Sequence, residues 1–423
     1  MRLWNRGVSS LAAEAVGTTS KAPSMGLVVP VLGVTQILAW GSSYYLLAVL
    51  AEPIAGSTDW PLAWVVSGLS LGLLTAGLVS PRVGDSIERH GGRPVLATSA
   101  ALLAFGLVGL ALAPSLLIYL AAWLVLGIGM GAGLYDAAFA TLGRLYGLRA
   151  PTAIATLTLF GGLASTVCWP LSAFLVSEYG WRGACLIYAG IHLAVVLPLY
   201  MFALPREPRR HVTTSAPRDG QIHKGRTKGP VPAGSMLVFM LLAATITVSS
   251  MISTVVSVHL LSILRAQDIA LAAAVALGAL VGPAQVGARA LEMLIGRYHH
   301  PIWTMVASTL FVAIGVGALW GGLPIISAAL VFYGAGIGIE SIARGTLPLA
   351  LFGVDRYAAI MGRIAMPSLV AQAVSPSLSV SLMERSGASG TLAALFAFAI
   401  LDVVLVFALF ALLPRRKVLI ATR

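Results

Sequence analysis

Gly84-Asp85-Ser86-Ile87-Glu88-Arg89-His90-Gly91-Gly92-Arg93-Pro94 is a short charged turn set between two long apolar runs. Its glycines allow a tight reversal, and Glu88, Arg89 and Arg93 carry charges able to lock onto neighbouring helix ends. The rest of the chain alternates in the same way, with apolar runs of roughly 20 residues, the length of a membrane-crossing helix, parted by brief polar turns. Runs fall near 27–51, 62–81, 94–113, 116–142, 152–176 and 183–204, and a second set near 236–261, 268–292, 301–321, 324–349, 357–382 and 391–413. Each is continuous, whereas strands of a membrane barrel alternate apolar and polar residues.

Composition agrees. Of 423 residues, 58% are apolar and only 10% are charged, and the mean hydropathy is +0.92. A soluble domain carries about 25% charged residues, so most of this surface must face lipid or other helices. The expected fold is an all-α integral membrane protein of twelve transmembrane helices, referred to below as spans 1 to 12.

Charge placement organises these spans. Residues 1–26 read as a basic cytoplasmic tail without the compact apolar core of a signal peptide. Residues 205–235 hold Arg206, Arg209, Arg210, Arg218, Lys224, Arg226 and Lys228 among prolines and glycines, a solvated cytoplasmic linker. It divides the chain into six-helix bundles at 27–204 and 236–413, with a final cytoplasmic tail at 414–423. With both termini cytoplasmic, every Lys and Arg falls on the inner side except Arg182, Arg265 and Arg385. That bias is the rule for polytopic proteins, and it points to an inner or plasma membrane. The net charge of +12 therefore reflects topology, and no nucleic-acid partner is expected. Residue pairs also recur at near-constant offset, among them Gly133 and Gly338, Thr141 and Thr346, Pro170 and Pro376, and Asp136 and Glu340. A duplicated bundle with its site between the halves is a common transporter plan.

The turn at 84–94 carries a resemblance. Gly84, Glu88, Arg89, Gly91 and Arg93 fill the places of the signature between helices 2 and 3 of the major facilitator superfamily, with glutamate where aspartate is commoner. The resemblance implies two six-helix bundles, alternating access, and a central cavity lined chiefly by spans 1, 4, 7 and 10. It also makes Gly84, Glu88, Arg89, Gly91, Arg93 and Arg144 a cytoplasmic gate, in which Glu88 caps span 11 or pairs with Arg144. The alternative is a charged turn that merely follows the charge rule. A second copy near Gly287, Arg289, Glu292 and Arg297 does not keep the spacing. Trp123 stands where proton-driven drug antiporters of the family have arginine, and span 5 lacks their compact glycine-proline run. Both departures speak against a drug exporter.

Candidate site residues are the polar groups inside apolar runs. On span 1, Gln36, Trp40 and Tyr44 are four residues apart and share a face, with Tyr45 beside them. They offer an amide, an indole and phenols to a small oxygenated solute; the alternative is packing between helices. This pattern resembles the monocarboxylate and oxalate–formate branch of the superfamily. Asp136, Glu340, Arg344 and Asp402 are ionisable residues at membrane depth, where such groups are functional candidates by default. In one reading Asp136 or Glu340 carries a proton and Arg344 binds an anion. In the other, Glu340 and Arg344, one turn apart, form a buried structural pair. Asp402 is assigned a structural role, and Arg289 and Arg363 are placed at the cytosolic surface, with an anion-binding role for Arg289 as the alternative if span 8 runs deeper. Ser165 and Trp169 on span 5, Ser253 on span 7 and Gln372 on span 11 complete the candidate substrate contacts. Cys168 is the sole candidate soft ligand for a metalloid, although an isolated membrane cysteine usually just packs. No other metal site and no cofactor is expected.

The expected function is secondary active transport of a small polar or anionic organic solute by a monomer, with a proton or an exchanged solute as the drive. No GK[ST] phosphate loop is present to support ATP hydrolysis. The competing readings are efflux of drugs or of arsenic- or antimony-type metalloids, and a membrane-embedded enzyme or sensor. The last lacks any HExxH motif.

Overall fold

A computed structural model describes residues 24–207, 233–323 and 325–413. Most of the expected N-terminal tail and linker, and the tail 414–423, lie outside the described residues. Among those described, every regular element is helical. The α-helices are α1 (Met25–Gly41), α2 (Leu47–Thr58), α3 (Leu62–His90), α4 (Gly92–Ala111), α5 (Leu116–Gly133), α6 (Tyr135–Tyr146), α7 (Ala150–Gly162), α8 (Ala164–Ile191), α9 (Leu197–Ala203), α10 (Ala233–Arg265), α11 (Leu271–Gly278), α12 (Val281–Ile295), α13 (Pro301–Trp320), α14 (Ile326–Phe352) and α15 (Tyr357–Leu412). Eight stretches are long and apolar enough to cross a membrane. Leu116–Ala203 holds spans 4 to 6 and Val354–Leu412 holds spans 11 and 12, while the shorter α1 and α2 together make span 1. The described residues thus make twelve crossings. Within α8 and α15 the reversals fall at Gly180 (φ 68°) and Gly387 (φ 64°), left-handed positions that glycine adopts without steric penalty.

Spans 1, 4, 5 and 8 read as continuous runs but are each interrupted near their middle, and the breaks in spans 1 and 4 adjoin the site. Span 1 leaves the α-helix at residues 42–46, where Tyr45 N donates to Trp40 O at 2.9 Å. The hydroxyls of Ser42 and Ser43 return to the carbonyls of Leu38 (2.7 Å) and Ala39 (2.6 Å). Such bonds compete with the main-chain ladder and loosen the turn. Span 4 breaks at Leu134 (φ −82°, ψ −167°), between α5 and α6. Main-chain polar groups cannot be left bare at this depth, and Gln36 Nε2 satisfies the Gly133 carbonyl at 2.6 Å.

Each half packs on its own aromatic and aliphatic core. In the first half Trp123 is fully buried and lies in a trough made by Gly68 and Gly72 of span 2. The residue that departs from the antiporter pattern is therefore a packing residue. In the second half Met305, Ile364 and Val406 form the corresponding centre.

The halves meet on the side that carries the 84–94 turn, called here the basic side. A Cβ on Gly84 would collide with the carbonyl of Ala358, and one on Gly362 with the carbonyl of Ser80. Spans 2 and 11 therefore cross with their main chains in contact, which only glycine at both positions allows. Tyr357, fully buried, enters between spans 4 and 10 and donates to Gly345 O at 2.5 Å. Asp85 and Arg363 add a half-exposed ion pair across the same seam at 3.4 Å.

Candidate functional site

Between the halves lies a cavity of about 110 Å³. Its walls bring together Trp40 and Tyr44 of span 1, Asp136 of span 4, Glu340 and Arg344 of span 10 and Gln372 of span 11. Six residues singled out from the sequence, separated by hundreds of positions, thus converge on one chamber. Leu134, Tyr135 and Ser341 join them. Trp40 is held in place by Gln36, whose Oε1 accepts from the indole Nε1 at 3.2 Å, and its ring packs 5.1 Å from that of Tyr135.

The floor of the cavity is an ion pair across the two halves. Arg344 donates from Nε to Asp136 Oδ1 at 3.1 Å and from Nη2 to Oδ2 at 2.9 Å. Asp136 is in the first turn of α6, at the positive end of that helix, so the break at Leu134 also favours its carboxylate. Arg344 Nη1 reaches Ser368 at 3.2 Å and Ser250 at 3.4 Å, and Gln372 donates to Ser368 Oγ at 3.3 Å. The pairing of Glu340 with Arg344 along one helix is not what forms. Arg344 turns across the seam because a bidentate carboxylate is available there. Glu340 faces the cavity, 8% exposed, with Oε1 lacking any hydrogen-bond partner among the described residues.

Behind Ser341 and Tyr135 sits a cation that the sequence reading misplaced. Arg289 is 6% exposed, inside the membrane and not at its surface. It donates to Gly338 O (3.1 Å), Ser341 Oγ (3.1 Å), Thr158 O (3.3 Å) and Gln285 Oε1 (3.4 Å), all neutral oxygens. The guanidinium lies where a Cβ on Gly162 would be, so span 5 admits it only because that residue is glycine. Its position in an otherwise apolar stretch of span 8 was the available signal. A basic residue near a span end reads equally well as a loop charge. Arg289 and Arg344 are accordingly membrane residues and not loop charges. The roles of Ser250, Ser341, Ser368 and Tyr135 left no mark in the sequence beyond ordinary polarity.

Other candidates fall elsewhere. Gln36 is fully buried with both ends of its amide engaged, so it positions Trp40 and does not face the cavity. Tyr45 and Ser253 do not line the cavity, and Ser165 and Trp169 line a separate open recess. Cys168 is buried, packs onto Gly41 of span 1 and points its thiol at Ile37 O at 3.5 Å. No other Cys, His or acidic side chain joins it in a metal-holding cluster among the described residues. Asp402 is 1% exposed and accepts from Ser249, tying span 12 to span 7.

At the 84–94 turn, Arg144 donates to the carbonyls of Ile87 (2.9 Å) and Glu88 and binds the carboxylate of Glu207. Arg144 thus meets Glu88 at its main chain. Glu207, at the end of span 6, was missed because it reads as part of the solvated linker. It also accepts from Gly92 N at 3.1 Å, capping span 3. Gly91 (φ 88°) makes the turn, while Arg89 is exposed and Arg93 partly so. Asp85 of the same turn makes an acid–base contact to Arg363 of span 11.

Twelve crossings around a solute-sized, charged chamber at the junction of two halves define a polytopic transporter. The model of the Major Facilitator Superfamily matches residues 32–299, and the chain belongs to that family. It is a transporter and not an enzyme. It resembles Monocarboxylate transporter 11 of Mus musculus, at 29% identity over 204 residues, covering 38% of this chain and 44% of that one. Monocarboxylate transporter 4 of Gallus gallus is 23% identical over 330 residues, covering 76% of this chain and 68% of that protein. Among solved structures, the human organic anion transporter MFSD10 (TETRAN) superposes with a TM-score of 0.71 at 16% identity, over 91% of this chain and 100% of that one. At that identity the likeness is one of fold.

Proposed function

We propose that the protein carries short monocarboxylates across the inner or plasma membrane, coupled to protons, with its basic side in the cytosol and the monomer as the working unit. The observation that carries this reading is Arg344, a guanidinium that lines a small cavity between the halves and is held there by a displaceable carboxylate. Behind the cavity wall Arg289 is hydrogen-bonded to neutral oxygens and lies within electrostatic range of Glu340. Dipoles orient a guanidinium without cancelling its charge, and a buried charge in a membrane calls for a counter-ion. Asp136 is that counter-ion for Arg344, and a substrate carboxylate can take its place. The relatives named for monocarboxylates support the same substrate class. Size agrees as well: a cavity of about 150 Å³ holds benzene, so one of about 110 Å³ suits an acid of a few carbons.

Coupling follows from the floor of the chamber. When Asp136 takes a proton it releases Arg344, and the substrate carboxylate takes its place in the same two-contact geometry. Glu340, one turn away and without a hydrogen-bond partner on Oε1, is the second proton carrier. Gly84, Gly91 and Arg144, with Glu88, Arg89 and Arg93 on the same turn, form the cytoplasmic gate. The packed seam of spans 2 and 11 is its closed state, and rocking of the halves opens it. The test is uptake of radiolabelled lactate into proteoliposomes under an imposed pH gradient. Accumulation is expected to depend on the gradient and to vanish in Arg344→Ala. Purified, stable protein that moves cations or sugars but no carboxylate would sink the reading.

A further inference from the structure

Span 1 threads three aromatic rings through its break, and they do not all face the same space. Trp40 and Tyr44 line the central cavity. Tyr45, the next residue, is turned away by the roughly 100° that separates neighbours on a helical turn. Its ring stands 5.2 Å from Tyr44 at 89°, 6.0 Å from Trp40, and 6.2 Å from Trp169 at 90°. Trp169 belongs to an open recess of about 450 Å³ on spans 1 and 5, walled by Ala48, Val49, Ser165, Thr166 and Pro170. Among the described aromatic contacts, Tyr45 alone touches rings of both spaces. Its phenol also lies within electrostatic range of Arg289.

We infer that Tyr45 is the specificity-determining residue that limits substrate length, its ring backing the Trp40–Tyr44 wall that separates the small charged chamber from the larger outer recess. The inference rests on the monocarboxylate reading. With the ring in place, a carboxylate at Arg344 has room only for a short chain. With the ring removed, Trp40 and Tyr44 lose their backing and can swing toward Trp169, so that the two spaces join and the hydrocarbon end of a longer acid runs into the recess while its carboxylate stays at the arginine. The chemistry of the recess fits that occupant, since aliphatic side chains and an indole face favour a phenyl or alkyl tail. The break at residues 42–46 lets this happen locally, because the main chain there is not held in a regular ladder.

The experiment is competition for labelled lactate uptake in proteoliposomes, comparing unlabelled lactate with 3-phenyllactate. The readout is a ratio of two inhibition constants, so a general loss of activity cancels. In wild type, phenyllactate should compete at least about tenfold less well than lactate, the discrimination a pocket makes against surplus methylenes. Tyr45→Ala should bring that ratio close to one, and Tyr45→Phe should keep the wild-type ratio because the ring and not the hydroxyl backs the wall. Should Tyr45→Ala fail to fold, Tyr45→Leu is expected to shift the ratio the same way by a smaller factor. Alanine and leucine variants that carry lactate with the wild-type ratio overturn the role of Tyr45 and leave the monocarboxylate reading standing. Stable wild-type protein with no lactate uptake overturns both.

Discussion

Arg344 of span 10 and Asp136 of span 4 bind each other through two hydrogen bonds, 208 residues apart in sequence, at the floor of the central cavity. This pair both closes the seam between the halves and occupies the group best placed to receive an anion. Transport must therefore break it.

Removing one partner strands the other. Arg344→Ala is expected to lower stability by about 3–5 kcal/mol, the loss typical of an uncompensated buried charge. The double variant Arg344→Gln/Asp136→Asn, with no charge left to strand, should regain much of the melting temperature while carrying no lactate. Equal melting temperatures for the single and double variants would show that the pair is not a structural contact.

Asp136→Asn speaks to coupling. The amide keeps shape and one acceptor but leaves Arg344 without its counter-charge, so a lowered melting temperature is expected, and no proton can be taken up at that site. Exchange of lactate for lactate is expected to continue while accumulation under a pH gradient disappears. Undiminished accumulation would move the coupling role to Glu340.

The seam of spans 2 and 11 makes a steric prediction. Gly84→Val places methyl groups against the carbonyl of Ala358, and overpacking of this kind costs about 1–3 kcal/mol. The closed arrangement should lose population to one open on the basic side. A probe is Ala137→Cys, at a position 2% exposed beneath that seam. Its labelling by an impermeant thiol reagent from the basic side should quicken several-fold in the Gly84→Val background, and an unchanged rate would refute the gate.

Glu207 should matter as much as Arg144. Either Arg144→Gln or Glu207→Gln breaks a buried charge-assisted bond, a loss of about 1.5–3 kcal/mol. The double variant should be little worse than Arg144→Gln alone, since the bond to Glu207 is already lost there together with those to the Ile87 and Glu88 carbonyls. Additive losses in thermal unfolding would mean that the two act separately.

Cys168 packs against Gly41, so Cys168→Ala should cost only about 1 kcal/mol, the order of a small buried group, and leave lactate transport in place. Arsenite tolerance of cells expressing the variant should match wild type. A loss of tolerance would revive the metalloid alternative.

Much of this protein was readable from the chain alone. Hydropathy is a local property, so the twelve crossings and the concentration of basic residues on one side needed no coordinates. Polar groups stand out against an apolar background, and for that reason Trp40, Tyr44, Asp136, Glu340, Arg344 and Gln372 were found without knowing that they meet. The tertiary structure alone decided who binds whom. Arg344 had an acid one turn away and chose another across the seam, because helix crossing and not sequence distance brings a bidentate carboxylate within reach. Arg289 looked like a surface charge until the depth of span 8 and the gap left by Gly162 were visible. Gln36 and Tyr45 share span 1 with Trp40 and Tyr44, yet only the breaks in spans 1 and 4 determine that one props the wall and the other stands behind it. Partners of this kind depend on distances between helices, which no local pattern of residues encodes.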